Sequence, residues 1–331
     1  MSVVCDIKVS VLVTFYNTVN YVDQCLESIL SQKCDFKYEI IAGDDGSDDG
    51  TVEKIKEWQD KYPGKIFLHV MEREPGCQDP GPVRASRIRL ELLKYVRGTY
   101  FTFIDGDDYN TDDRKLSILA DILDKDLKLS ACGHRMRLVN EMNGNERFIP
   151  ESTDAFDRNI KQYWKFDYLH TDSLMFRSTL IDNLDRKILR DEFNDNRITY
   201  ALLQNGKIRY HPETMAVYRW TGNGIYSKEG KELNILREMM SFETEMKINR
   251  HLKFESCIRH CYDFRYFYKY HFENKPGEPY ELPRQWRKII KDNGFSFTER
   301  CVGIIEGRRP FLKLIVYFWI GIIGFHVFKQ K

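Results

Sequence analysis

Neither of the glycine patterns that cradle nucleotide phosphates occurs in this chain, which has no G-x-G-x-x-G and no G-x-x-x-x-G-K-S/T. Both patterns bring bare backbone N–H groups against a pyrophosphate, so a dinucleotide dehydrogenase and a P-loop enzyme each lack their signature. Cysteine is present but unpatterned: positions 5, 25, 34, 77, 132, 257, 261 and 301 include no Cys-x-x-Cys and no zinc-ligand spacing. Cys257 and Cys261 lie one helical turn apart beside His260, which reads as a helix face carrying free thiols in reducing cytosol rather than as a metal site. Charge of one sign is lacking too. The formal net charge is +1, which gives no global electrostatic case for binding nucleic acid. The chain does not open on a basic-then-apolar leader, so no signal peptide is expected.

What is present is globular material. Hydrophobic residues make up 42% and charged residues 31% of the 331 positions, a balance that argues against disorder and suffices for one large domain or two smaller ones. Val9–Phe15 is an apolar, β-branched run and reads as a buried strand. Asn20 is suited to cap a following helix with Val22, Cys25, Leu26, Ile29 and Leu30 on one face. Tyr38–Ala42 reads as a second strand. It runs into the tight loop GDDGSDDGT, where Ser47 or Asp48 suits the cap of a helix bearing Val52, Ile55 and Trp58. Ile66–Val70, Thr99–Ile104 and Leu129–Val139 read as further strands, with helices over Val83–Val96 and Arg114–Leu123 between them. This alternation predicts an α/β fold with a mostly parallel central sheet flanked by helices. Ligands of such sheets bind beyond the carboxyl ends of the strands, and Phe15–Asn17, Asp44–Asp45 and Asp105–Asp108 all fall at such ends.

The acidic cluster Asp105-Gly106-Asp107-Asp108, at the end of the strand GTYFTFI, is poor structural material. Its carboxylates repel one another and each is costly to desolvate without a partner. A divalent cation resolves this, because hard cations take oxygen ligands and Asp-x-Asp can direct two carboxylates to one point. The stretch is therefore expected to grip a metal and, through it, a phosphorylated substrate. A solvated acidic turn is the plainer alternative, since short acidic motifs are hypotheses.

Four blocks, in this order, resemble glycosyltransferase family 2, over roughly residues 8–227. VSVLVTFYNTVNYVDQCLESILSQ is similar to the family's opening strand and helix, and YEIIAGDDGSDDGT to its nucleotide-binding loop. GTYFTFIDGDDY is similar to its metal-binding Asp-x-Asp segment, and NDNRITYALLQNGKIRYHPETMAVYR to the acceptor-side segment that carries the general base. The resemblance implies a GT-A (Rossmann-like) fold, a nucleotide-sugar donor (a UDP-sugar first), Mn2+ or Mg2+, and an inverting single displacement. It puts Asp105 near the ribose and Asp107 on the metal, with Asp105 or Asp108 helping. Asp45 is implied at the nucleotide base, with Asp44 as the neighbouring candidate. Phe15 and Asn17 join the implied donor-binding set. Arg84, Arg87, Arg89 and Arg219 suit bidentate contacts to phosphate, and the resemblance favours Arg219. The family's base position falls on Asp195, and Asp191 and Glu192 are rivals. A helix-cap role for Asp195 is the bland alternative.

Departures from the family are visible. Pro often stands where this chain has Thr14. Thr221 stands where relatives commonly carry a His that helps hold metal or diphosphate, so the resemblance supplies no third metal contact there. There is no Gln-x-x-Arg-Trp, which argues for transfer of one sugar rather than processive synthesis. A saccharide or lipid-linked acceptor in bacterial surface-glycan assembly is the expected context. The alternatives are a catalytically inactive binding protein on the same fold, or a nucleotidyltransferase.

The expected domains are a catalytic one over 1–228, a helical extension over 229–307 and a hydrophobic tail over 308–331. Lys228–Leu252 and Phe254–Phe272 read as helices of the extension, the second crowded with aromatic and basic residues. Packing against the catalytic domain is the expectation for that face, over base stacking. In the tail, Phe311–Phe328 is broken only by Lys313 and His326, and as a helix it spans about 27 Å, just short of a hydrocarbon core. Its basic flanks and the Tyr317/Trp319 pair suit a membrane interface. A monotopic helix, a buried or oligomer-forming helix and a full span all remain open. The expected location is cytoplasmic, at the inner face of the cell membrane.

Overall fold

The computed structural model describes residues 6–73, 79–160, 169–183, 193, 195–222, 224, 230–248, 253–275, 278 and 280–307. It divides into two compact units. One comprises residues 1–77 and 81–222, and the other residues 78–80 and 223–331. The division falls at 222/223, a few residues before the boundary expected at 228.

The first unit is built on a sheet whose described strands run in the order β3-β2-β1-β4-β9-β6-β10-β5, with β7 beside β6 and β8 beside β10. The strands are β1 (Ile7–Phe15), β2 (Lys37–Asp44), β3 (Ile66–Val70), β4 (Tyr100–Asp105), β5 (Tyr109–Asn110), β6 (Leu129–Asn140), β7 (Glu146–Ile149), β8 (Phe156–Arg158), β9 (Leu174–Arg177) and β10 (Lys207–Trp220). β1 pairs in parallel with β2 and β4, β2 with β3, and β6 with β10, while β9 lies antiparallel between β4 and β6. The sheet is thus parallel over β3-β2-β1-β4 and at the β6–β10 pair, while β5, β7 and β8 join β9 in pairing antiparallel, and β1 has an apolar run because both its faces are covered.

The helices are α1 (Val22–Leu30), α2 (Thr51–Lys61), α3 (Gly81–Leu92) and α4 (Lys115–Lys125), followed by Asp195–Asn205. Val22, Cys25, Leu26 and Ile29 of α1 pack with Ile55 and Trp58 of α2 and with Leu116, Leu119 and Leu123 of α4 in one core with β1 and β2. Two expected caps are not made. Tyr21, not Asn20, precedes α1, and Gly50, with φ of 97°, precedes α2. Ser47 is drawn away to Asp44 and Asn17, and Asp49 instead receives the N–H and hydroxyl of Thr51. Helix α3 stops at Leu92 and tightens into a 3-10 turn over Leu93–Tyr95, earlier than its apolar pattern suggested.

The second unit is helical over Gly230–Ile248, Lys253–Asn274, Arg284–Asp292 and Ser296–Ile305, the last two absent from the sequence reading. Leu236, Met240, Phe264, Phe267, Trp286, Ile290, Cys301 and Val302 form its own core. The aromatic helix therefore spends Phe264 and Phe267 on that core. Glu243 accepts the N–H groups of Phe297 and Thr298, supplying the orphan donors at the start of the last helix with a carboxylate. Cys257, Cys261 and Cys301 are free thiols. Among the described residues no helix is long and apolar enough to cross a membrane, and the tail at 308–331 lies outside them.

One contact fixes how β1 and β4 end. A Cβ on Gly106 would stand 2.2 Å from Cδ1 of Phe15, and Phe15 is itself buried, so its ring has no room to retreat. Gly106→Ala is expected to lower unfolding stability by about 1–3 kcal/mol through overpacking, read from the midpoint of urea denaturation at unchanged slope.

Candidate functional site

Three adjacent parallel strands end level with one another. Phe15 of β1 is in register with Asp44 of β2, and Thr14 with Asp105 of β4. The chain leaves the sheet in step: Asp45 N–H donates to Phe15 O at 3.1 Å, and Gly106 N–H to Thr14 O at 2.8 Å. The residues just beyond these ends therefore lie side by side at one edge of the sheet.

At the β1/β2 end, Asp44 and Asp45 have different surroundings although adjacent. Asp44 is fully buried and accepts the Ser47 N–H at 2.8 Å and the Ser47 hydroxyl at 2.5 Å. It shapes its own loop. Asn17, with φ of 50°, takes the Asp48 N–H on Oδ1 at 3.0 Å and gives its own N–H to Ser47. Asp45 faces Arg73 at 3.3 Å and Arg84 at 3.6 Å. Burial raises its carboxyl, and the Arg84 and Arg73 charges oppose that rise. Arg73 also lies 3.8 Å from the centre of the Tyr16 ring and donates to the Tyr16 hydroxyl. Tyr16 is 38% exposed, and the Arg84 guanidinium also lies over its ring, 4.7 Å from the centre.

At the β4 end the acids crowd. Both oxygens of Asp105 accept from Arg89 Nη2, at 2.9 and 3.0 Å, and Oδ1 also accepts the Thr14 hydroxyl at 2.6 Å. Burial works to raise this carboxyl, but the Arg89 charge and the Thr14 hydrogen bond outweigh it and hold it below the usual range. Asp107 has no such neutralisation: burial and the Asp105 charge push it up to about 7. Asp108 is fully buried. Its Oδ1 accepts the Arg219 N–H at 2.8 Å, its Oδ2 has no hydrogen-bond partner among the described residues, and burial raises it strongly. Asp172, from the turn before β9, is also fully buried and takes the Asp105 N–H on Oδ2 at 2.8 Å. Burial and Asp105 raise it in turn. Beneath them Lys115 is buried, bonded to Asn110 Oδ1 and Asp172 O, with its ammonium lowered to about 8 by burial.

Arg219 is enclosed between the Tyr21 and Tyr109 rings. Its guanidinium bonds Asp107 O and Gln24 and meets Glu141 at 3.1 Å, so it fastens the turn that carries Asp107. Asp195 begins the helix Asp195–Asn205, and its Oδ1 accepts both the N–H of Thr171, at 2.6 Å, and the Thr171 hydroxyl.

The structure brings Asp45, Arg84, Asp105, Asp107, Arg219 and Asp195 to the strand-end side of one unit. Phe15 lies under Gly106 and Asp44 inside its loop. The rivals Asp191 and Glu192 lie outside the described residues. Among the described residues no three His, Cys, Asp or Glu side chains converge as a metal cage. Asp172, Thr171, Lys115, Arg73 and Tyr16 were missed by sequence reasoning. Tyr16 lies in the opening block between Phe15 and Asn17, while the other four sit in no motif quoted above and are brought in by strand register and turns.

The family model for glycosyl transferase family 2 matches residues 10–184. An uncharacterised protein of Mycobacterium tuberculosis is 28% identical over 218 residues, 66% of this chain and 60% of that protein. The chain thus spans about three fifths of that relative's length. The poly(ribitol-phosphate) beta-N-acetylglucosaminyltransferase TarS of Staphylococcus aureus is 31% identical over 149 residues, 44% of this chain and 23% of the relative. A crystal structure of TarS 1-349 with UDP-GlcNAc shares the fold, with a TM-score of 0.60 and 18% identity over 98% of this chain and 92% of that one. A mannosyltransferase from Pyrobaculum calidifontis, solved with GDP-Man and Mn2+, aligns with a TM-score of 0.54 and 15% identity over 96% and 86%.

The raised Asp107 carboxyl has a signed consequence. A carboxyl whose folded pKa of about 7 exceeds its ordinary 3.8 contributes stability that is fully present below the lower value and is lost as pH rises through the upper one. The metal-free protein is expected to show a Tm that falls between about pH 4 and 7, and Asp107→Asn to flatten that part of the profile in scanning calorimetry. An unchanged slope in the variant would refute the assignment.

Proposed function

The chain belongs to glycosyltransferase family 2 and has the α/β fold of the TarS structures, and from that premise we propose that it moves a single sugar from a nucleotide-sugar to a saccharide or lipid-linked acceptor by metal-assisted inverting displacement. The observation that carries this reading is that Asp45 and the Asp105–Asp108 turn follow strand ends in register, with Asp195 tied to the latter through Thr171 and Asp172.

Asp45 offers an acceptor for a base N–H, which suits uracil, and Arg73 and Arg84 join it to the Tyr16 ring. UDP is the donor nucleotide favoured here because the TarS structures contain UDP and UDP-GlcNAc. Asp105, kept ionised by Arg89 and Thr14, can accept a ribose hydroxyl. Asp107 fits a divalent cation, Mn2+ or Mg2+, because a buried carboxylate repelled by a neighbour gains most from one. Asp105 is already matched by Arg89, so Asp107 is the principal ligand and the donor diphosphate would complete the shell. The bound ion would act as a Lewis acid toward the departing diphosphate. Asp195 would take the proton of the acceptor hydroxyl as that oxygen attacks the anomeric carbon from the face opposite the leaving group. Arg219 holds the Asp107 turn, and Arg84 is the better placed arginine toward a nucleotide held at Asp45.

The relatives that act on poly(ribitol-phosphate) favour an acceptor of bacterial surface-glycan type. The first unit would supply the chemistry. The tail at 308–331 would hold the protein at the inner face of the membrane, and its deletion is expected to move the protein from the membrane pellet to the supernatant.

A thermal-shift panel of nucleotide-sugars, with and without Mn2+, tests the donor. At roughly hundredfold excess over Kd the matching donor is expected to raise Tm by about 5–10 °C, and Asp107→Ala to remove the Mn2+-dependent part. Asp195→Asn is expected to lower turnover by about 10²–10⁴-fold while leaving that shift intact. A panel without any shift overturns the reading.

A further inference from the structure

The acids assigned to donor and acceptor lie on different elements, yet a displacement needs them at a fixed separation. Two consecutive residues touch both. Thr171 gives its N–H and its hydroxyl to Oδ1 of Asp195, while Asp172 takes the backbone N–H of Asp105 on Oδ2. Both residues are fully buried, and they lie in the 3-10 turn Thr171–Ser173. We propose that this turn is a spacer built into the site, in which Thr171 is the positioning residue for the base Asp195 and Asp172 sets the span to the donor-side strand end. The inference rests on the transferase reading above.

The turn has the stiffness the role requires. Ser173 ties back to His170 O through its N–H at 3.0 Å and its hydroxyl at 2.7 Å. Lys115 donates to Asp172 O at 3.1 Å. The His170 ring lies against Tyr218, 4.5 Å between centres, and the turn runs directly into β9, which is bonded to β4 and β6 on its two sides. A second brace acts on the approach to Asp195. Ser86 Oγ accepts the Phe193 N–H at 2.7 Å, and Arg89 donates to Phe193 O at 3.1 Å while its other nitrogen holds Asp105. With Oδ1 gripped by two donors from one residue, the plane of the Asp195 carboxylate is set, and with it the direction in which Oδ2 points. A carboxylate allowed to turn about its χ angles would reach the acceptor hydroxyl less often, and misplacement of about 1 Å costs roughly 10²-fold in rate.

Thr171→Val keeps the side-chain shape and removes the hydroxyl, Thr171→Ala removes it without risk of overpacking, and Thr171→Ser restores it. The assay is UDP release from UDP-GlcNAc and UDP-glucose with water as acceptor, alongside calorimetric binding of UDP in the presence of Mn2+, and with Asp195→Asn run in parallel. The expected result is a kcat lowered roughly 10- to 100-fold in the Val and Ala variants, with UDP affinity and Tm held within about twofold and about 2 °C, and recovery to within about threefold in the Ser variant. Loss of UDP affinity or of Tm in proportion to kcat, or no recovery with Ser, would reduce Thr171 to a structural residue and overturn the proposal. Full turnover by the Val and Ala variants while Asp195→Asn is inactive would overturn it too and leave the transferase reading standing. Full turnover by Asp195→Asn, or none by the parent protein with either sugar, would instead remove the reading on which it rests.

Discussion

Electrostatic repulsion among Asp105, Asp107, Asp108 and Asp172 is the constraint to which the rest of the first unit answers. Like charges in a partly desolvated space raise one another's proton affinity, and each needs a cation or a donor to stay ionised. The protein compensates unevenly. Asp105 receives a whole guanidinium and a hydroxyl, Asp108 one backbone N–H, and Asp172 one backbone N–H above a buried lysine. Asp107 and Asp108 are left the least compensated, and burial raises both carboxyls. A site that neutralised every acid internally would have no use for a cation.

The uneven compensation is possible because of the sheet. Parallel pairing of β2, β1 and β4 puts loops of unrelated sequence side by side at one edge, where backbone N–H groups and side chains from distant segments can be shared. Asp105 is held by Thr14 from the neighbouring strand, by Arg89 from α3 and by Asp172 from beyond β6. No local stretch could do this.

The family match ends at residue 184, so it takes in β1, β2, β4 and the turn that carries Thr171 and Asp172 but stops short of Asp195 and Arg219. The Thr171–Asp172 turn lies at the join, within the matched segment and touching the helix beyond it. The second unit stands on an apolar core of its own, in which the aromatic helix is a packing element.

The alternation of strands and helices and the parallel pairing of β1 with its two neighbours were legible in the sequence. They rest on local periodicity and on a rule about chain connection, and neither needs distant contacts. That Asp45, Asp105 and Asp107 fall at strand ends was legible for the same reason, since each is contiguous with a strand run. The sequence reading favoured Asp45 with Asp44 as its neighbouring candidate, but it gave no physical ground for separating them. Only the fold turns one into the Ser47 loop and the other toward Arg73 and Arg84. Nor could the sequence foresee that Arg219 would be occupied within the protein, or that Asp172, Thr171 and Lys115 would join the acids. Their roles depend on register across the sheet and on burial. Those are properties of the packed chain, in which residues far apart in sequence come to share a low-dielectric space and shift one another's charge.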